Sequence, residues 1–170
     1  MAEIIVVSVL VRDVQDSDIE TILQLNEEFV EYLAPMNAVE CAEYRRSANY
    51  FRVVDLNGAI AGFLIAYEPA ASYDSVNYNW FSDKYEDFIY VDRIVIAADQ
   101  QGKQFGRLFY DDVKAFARER GRARITCEYN SEPMNYGSQK FHAAYGFEEV
   151  GRLWLNDGKK QVSLQSFNLV

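Results

Sequence analysis

The chain has 170 residues, 49% of them hydrophobic, enough to bury one sizeable core, and no internal repeat or low-complexity linker marks a second domain. A formal net charge of −9 argues against a nucleic-acid backbone as partner, since phosphate recognition calls for a basic surface; it suits a cationic acceptor, or simply an acidic soluble protein. Two cysteines, Cys41 and Cys127, at no metal or disulfide spacing, with a single histidine, argue against a zinc site and make a reduced cytoplasmic compartment the expectation.

The opening run from Ile4 to Val11 is too short to span a membrane and lacks a basic n-region and a small-residue cleavage site, so it reads as a strand. Ser17 and Glu20 have capping-box spacing, and Ile19, Ile22, Leu23, Val30 and Leu33 mark one face of a long helix ended by Pro35. A second helix, with a thin apolar face, is predicted from Val39 to about Asn49. Tyr50 to Val54 and Ala59 to Tyr67 form a hairpin around Asp55-Leu56-Asn57-Gly58, where Asn-Gly tolerates positive φ.

Between Glu68 and Asp87 lies EPAASYDSVNYNWFSDKYED, polar but aromatic and longer than a hairpin connection. It reads in two ways. As a lid or acceptor-site wall it would present Tyr78 and Trp80 to an ammonium group by cation–π attraction. As a short helix from Tyr78 to Tyr85 its rings would cover the sheet edge or a homodimer contact, the commoner fate of aromatic side chains.

The segment FIYVDRIVIAADQQGKQFGR, Phe88 to Arg107, organises the rest. Tyr90, Val91, Ile94, Val95 and Ile96 are too densely apolar for a half-exposed strand, so the strand should be covered on both faces. It empties into the loop Gln100-Gln101-Gly102-Lys103-Gln104 and then a helix whose Phe105, Leu108, Phe109, Val113, Phe116 and Ala117 recur at helical spacing. The first amides of a helix have no partner within it and their dipole favours an anion, while Gly102 and Gly106 let a phosphate approach the backbone. The loop lacks the three-glycine dinucleotide pattern and the lysine-serine or lysine-threonine of a P-loop. Arg118-Glu119-Arg120-Gly121 closes the helix. Ala123 to Tyr129 is a further strand, a short helix runs through Tyr145, and Phe147 to Leu155 with Gln161 to Phe167 make a closing hairpin about Asn156-Asp157-Gly158-Lys159. The whole is an α/β (α+β) fold, a mixed and mostly antiparallel sheet of about seven strands flanked by helices.

Two blocks carry a resemblance. Strand, Gln101-x-x-Gln104-x-Gly106, helix is similar to the pyrophosphate-binding signature of the GNAT acetyltransferases, and Asn135, Ser138, Phe141, His142, Gly146 and Phe147 match their later Asn-helix-Gly-Phe block. One position departs: Gln104 stands where that family usually has glycine, at a cost of about 1–2 kcal/mol if φ is positive there. The resemblance covers Asp87 to about Arg152. It implies a single GNAT domain that binds acetyl-coenzyme A between the strand ending at Ile96 and the strand Arg124 to Tyr129.

By that resemblance Ile94, Val95 and Ile96 would pair with pantetheine amides, and Gln101, Gly102, Lys103, Gln104, Phe105, Gly106 and Arg107 would hold the pyrophosphate. Asn135 and Ser138 would face the pantetheine arm, though Asn135 is also a natural helix cap. The implied reaction moves acetyl from acetyl-coenzyme A to a primary amine of a small molecule or peptide. It needs a base for the ammonium proton and a proton for the thiolate. His142 falls where the family commonly has a proton-donating tyrosine, and its ordinary pKa near 6.5 makes it the general-acid candidate. Asp92 and Glu128 are the base candidates. Asp92 has an ion pair, with Arg52 for example, as its competing reading, and strand alternation would point Arg93 to the opposite face. Cys127 reads as a small buried hydrophobe before a covalent carrier. A non-catalytic module binding coenzyme A or its thioesters also fits. The acceptor and the oligomeric state stay open.

Overall fold

The structure, a computed structural model, describes residues 7–170. The strand expected from Ile4 falls partly outside these residues; within them the first strand, β1, is Val9–Asp13. The following strands are β2 (Tyr50–Leu56), β3 (Ala59–Tyr67), β4 (Ile89–Ile96), β5 (Arg124–Glu132), β6 (Glu148–Leu155) and β7 (Lys160–Asn168). They form one sheet of order β1-β2-β3-β4-β5-β7-β6 in which only β4 and β5 are parallel. The helices are α1 (Ile19–Glu28), α2 (Ala38–Ser47), α3 (Val76–Lys84), α4 (Phe105–Glu119) and α5 (Tyr136–Tyr145). Among the described residues no helix is long and apolar enough to cross a membrane.

Local chemistry sets the corners. Asn57 and Gly58 take φ of 54° and 92°, as the two-residue turn between β2 and β3 requires. Asn37 caps α2 by accepting from the amides of Val39 and Glu40, and Glu40 returns a bond to the Asn37 amide. The start of α1 is built otherwise than the Ser17–Glu20 spacing suggests: a 3-10 turn, Asp16–Asp18, leads in, and the Asp18 carboxylate accepts from Gln15 N at 2.8 Å. α1 also stops at Glu28, short of Pro35. Turns occupy the next residues, and Asn26 donates its side-chain amide to Ala34 O at 3.1 Å, folding the connection back on the helix.

Two apolar clusters lie on opposite faces of the sheet. One joins Phe51, Phe63, Ile65, Tyr67 and Tyr90 to Ile22, Cys41, Tyr78 and Phe81 of α1, α2 and α3. The other joins Val54, Leu64, Ile89, Val91 and Ile125 to Phe109, Tyr110, Val113 and Phe116 of α4. Strand β4 is thus covered on both sides, as its composition predicts. Its alternation breaks once: Ile65 and Ala66 of β3 face Arg93 and Val91, leaving Asp92 as an extra residue. This bulge corrects the expectation that Arg93 points away from Asp92. Arg93 Nε donates to Asp92 at 2.7 Å, and the guanidinium reaches Asn26, Ala34 O and Tyr44 on the α1–α2 side.

Candidate active site

The parallel strands β4 and β5 are paired only at Ile89↔Ile125 and Tyr90↔Thr126. Beyond Tyr90 they part, while β5 keeps its partner β7 as far as Glu132. A cleft of about 1100 Å³ occupies the gap, and its walls come from both faces of the sheet. On the α4–α5 side they include Gln101, Gly106, Tyr110, Asn135, Ser138 and His142, and on the α1–α3 side Phe29, Tyr32, Tyr44, Tyr73, Asn77 and Glu128.

At one end stands the turn into α4. Gly102 has φ 77° and open space where a Cβ would be, and Gln104, the residue before the helix, has φ 70° and ψ 11°. The first backbone bond across this turn is Leu108 N to Gln104 O at 3.0 Å, so the amides of Phe105, Gly106 and Arg107 precede the helical ladder. Gly106 is needed for a second reason: a Cβ there would lie 2.8 Å from Cζ of Phe141, which brings α5 against α4. Ile94, Val95, Ile96, Gln101, Gly102, Gln104, Phe105, Gly106 and Arg107 all line the cleft. Lys103 does not; its Nζ turns to Gln100 at 3.1 Å. Asn135 caps α5 by accepting from Ser138 N at 3.1 Å, and both residues line the cleft as well. The unpaired edge of β4, the free amides and the cleft volume fit an extended diphosphate ligand with an amide-bearing arm.

The two base candidates differ in what surrounds them. Asp92 is engaged on both sides, by Arg93 and by the Tyr73 hydroxyl, and Arg52 pairs instead with Asp13 and Asp112. Glu128 accepts at Oε1 from Tyr90 Oη and Asn77 Nδ2, both at 2.9 Å, while its Oε2 is buried with no partner among the described residues. Burial first, and then the charge of Asp92, push the Glu128 carboxyl up to about 8. A carboxyl raised this far can exchange a proton near neutral pH.

His142 is placed differently from the general-acid expectation. It is 3% exposed, and burial holds its pKa down at about 4, so the ring is neutral at pH 7. Nδ1 lies 2.8 Å from Ser138 O, an acceptor only, which fixes the ring proton on Nδ1. Nε2 lies 2.7 Å from Tyr110 Oη and must accept from it. The ring therefore has no proton to offer the cleft. Cys127 is buried and its thiol is pushed well up by that burial, the state of an inert core cysteine.

Tyr78 and Trp80 do not line the cleft. Tyr78 is packed among Tyr67, Tyr73, Phe88 and Tyr90, and its hydroxyl donates to Glu68 O at 2.7 Å. Trp80 covers Gly151 of β6, where a Cβ would come within 2.6 Å of the indole, and Lys84 lies over its ring. The aromatic segment is the short helix α3, whose rings pack. From the same stretch Tyr73 and Asn77 reach the cleft instead. Sequence reasoning missed Asn77, Tyr110 and Lys160. Asn77 alone left a signal, as a polar residue at the start of an aromatic helix, one position before Tyr78. Among the described residues no His, Cys, Asp and Glu cluster is arranged to hold a metal ion.

A family model described as the acetyltransferase (GNAT) family matches residues 18–147. No curated protein matches the chain in sequence. Among solved structures, Ard1 from Thermoplasma volcanium is similar with a TM-score of 0.77 at 13% identity, over 95% of this chain and 98% of that one. The ribosomal-protein-S18-alanine N-acetyltransferase from Escherichia coli superposes with 0.69 at 14% identity, covering 95% and 94%. YncA from Salmonella typhimurium, a putative acetyltransferase solved with its cofactor acetyl-CoA, gives 0.70 at 18% identity, covering 96% and 95%. At these identities the likeness is one of fold.

Proposed function

The chain belongs to the GNAT acetyltransferase family, and on that premise we propose that it transfers an acetyl group from acetyl-coenzyme A to a primary amine by direct attack. The observation that carries this reading is Glu128, a carboxyl with a raised pKa and a free oxygen, in the wall of the cleft that opens where β4 leaves β5. Acetyl-coenzyme A, when bound, supplies an activated acetyl group at its thioester. Residues Ile94 to Ile96 offer their unpaired edge to its amides, the amides of Gln101 to Arg107 and the Arg107 charge offer a seat for its diphosphate, and Asn135 and Ser138 flank the arm.

Glu128 removes the proton that the ammonium must lose before its nitrogen can attack, and the second proton that the nitrogen loses as the C–N bond forms and the C–S bond breaks ends on the departing thiolate. Asp92 acts at one remove: held by Arg93 and Tyr73, it contributes negative charge that keeps Glu128 basic. His142 accepts from Tyr110 and so fixes that hydroxyl and the α4–α5 wall, instead of donating to the leaving sulfur.

The test is to incubate the protein with acetyl-coenzyme A and a panel of amines while following free thiol, with cofactor binding measured by calorimetry. Thiol release that depends on both the amine and Glu128 is the expected result. Coenzyme A binding with no acceptor-dependent release overturns the reading in favour of a non-catalytic acyl-coenzyme A module.

A further inference from the structure

Resting on the transferase reading, we infer that the acceptor is a small amino acid in which amine and anion lie a few bonds apart, its ammonium seated between Asn77 and Glu128 and its anion met by Lys160. The seat is defined by what it lacks. Asn77 Oδ1 and Glu128 Oε2 are both buried acceptors without a partner among the described residues. With Glu128 ionised, the state in which it can take a proton, the Asn77 amide must turn Nδ2 to Oε1, at 2.9 Å, because the reverse would set oxygen against oxygen. Tyr90 Oη donates to the same Oε1, so two hydrogen bonds converge on one carboxylate oxygen and leave the other free. Unfilled buried acceptors are costly, and a group with several donors relieves that cost best. An ammonium has three; a hydroxyl has one. Its arrival also favours the ionised carboxylate that must take its proton.

The cations of this half of the cleft differ in their engagement. Arg93 spends its guanidinium on Asp92, Asn26, Ala34 O and Tyr44. Lys160, half-buried on β7 after the turn from β6, lines the cleft, and among the described residues no carboxylate lies within ion-pair distance of it. Its charge is among those that draw the Glu128 carboxyl downward, which puts the two in one electrostatic field. Glu128 is opposite Leu164, four residues along β7 from Lys160, or about 13 Å of strand, and the lysine side chain spans part of that distance. The remaining gap suits an amine and an anion separated by several bonds. Phe29, Tyr32, Tyr44 and Tyr73 line the same cleft with aromatic rings, which favours a short chain over a polycation.

The experiment compares amines of equal length and different far ends: 4-aminobutyrate, n-butylamine and 1,4-diaminobutane. Initial rates of thiol release and calorimetric titration of the acceptor are measured for wild type, Lys160→Met and, as control, Lys159→Met, whose lysine is exposed in the turn and outside the cleft. Expected is a kcat/KM for 4-aminobutyrate at least about tenfold above the other two in wild type and the control. In Lys160→Met that advantage should vanish through KM, and acetyl-coenzyme A affinity should stay unchanged. Preference for butylamine or diaminobutane, acceptance only of amines outside the set, or a preference that survives Lys160→Met overturns the inference and leaves the transferase standing. Absence of thiol release with every amine of the wider panel removes the transferase reading itself.

Discussion

Tyr110 of α4 and His142 of α5 meet at 2.7 Å, hydroxyl to Nε2, in a contact buried between the two helices. With the Nδ1 proton directed to Ser138 O, the neutral imidazole accepts from Tyr110 at Nε2, and burial is what disfavours the charged ring. The folded pKa of about 4 lies below the ordinary 6.5, so the unfolded chain binds the proton more readily. The stabilisation is complete above pH 6.5 and is lost as the pH falls toward 4, by about 3 kcal/mol over that window. Urea titrations at pH 7, 5.5 and 4 should show wild type approaching His142→Gln in stability as the pH drops. A constant gap between the two would mean that the ring is not held neutral.

Glu128 gives the corresponding prediction for rate. A base must be ionised to act, and its folded pKa of about 8 means that kcat/KM rises with pH through that value. Glu128→Gln keeps the shape and the bond to Asn77 in reach. It should lower kcat by roughly a hundredfold or more and flatten this limb, while the calorimetric affinity for coenzyme A stays within a factor of two. Loss of affinity equal to the loss of rate would place Glu128 in cofactor binding instead.

Gly106 couples the turn into α4 to the pairing of α4 with α5. A methyl at this position meets Cζ of Phe141 at 2.8 Å, so Gly106→Ala forces α5 outward or the ring out of its rotamer, at about 1–3 kcal/mol. Phe141→Leu opens space at the same point. The double variant should therefore recover part of the Gly106→Ala loss in thermal or chemical denaturation, a coupling that distant sites do not show.

The order of elements was legible because hydrophobic period and turn chemistry are local: Asn57-Gly58 marks the hairpin, and the run from Tyr90 to Ile96 marks a strand covered on both faces. The turn into α4, where the cofactor is proposed to bind, was legible for the same reason, since a loop and the first turn of the next helix build it. The wall proposed for the acceptor was legible only at Glu128; Asn77 and Lys160 come from α3 and β7, and only the tertiary fold brings them into the same cleft as Glu128 of β5. The bulge at Asp92 reverses the facing of Arg93 without a glycine to announce it. His142 had a legible position and an illegible state, because burial and the two partners Ser138 and Tyr110 set its protonation. Tyr78 and Trp80 were drawn toward function by aromatic character, when Tyr67 of β3, Phe88 just before β4, and Gly151, far away in sequence, already used their faces.

Gln104 is the one non-glycine residue of the turn into α4 with a positive φ. Its φ of 70° lies in the left-handed region, where a side chain with a Cβ costs about 1–2 kcal/mol relative to glycine. Glycine would relieve that strain but add freedom to the unfolded chain, an offset of about 0.4–1 kcal/mol. The balance predicts that Gln104→Gly is more stable by about 0.5–1 kcal/mol, read from the urea midpoint at unchanged slope. Gln104→Val, β-branched and intolerant of positive φ, should lose more than it gains from its smaller entropy cost. Since the ligand contacts proposed here are made by backbone amides, Gln104→Gly should bind coenzyme A at least as tightly as wild type. A clear loss of affinity would show that the Gln104 side chain itself holds the ligand.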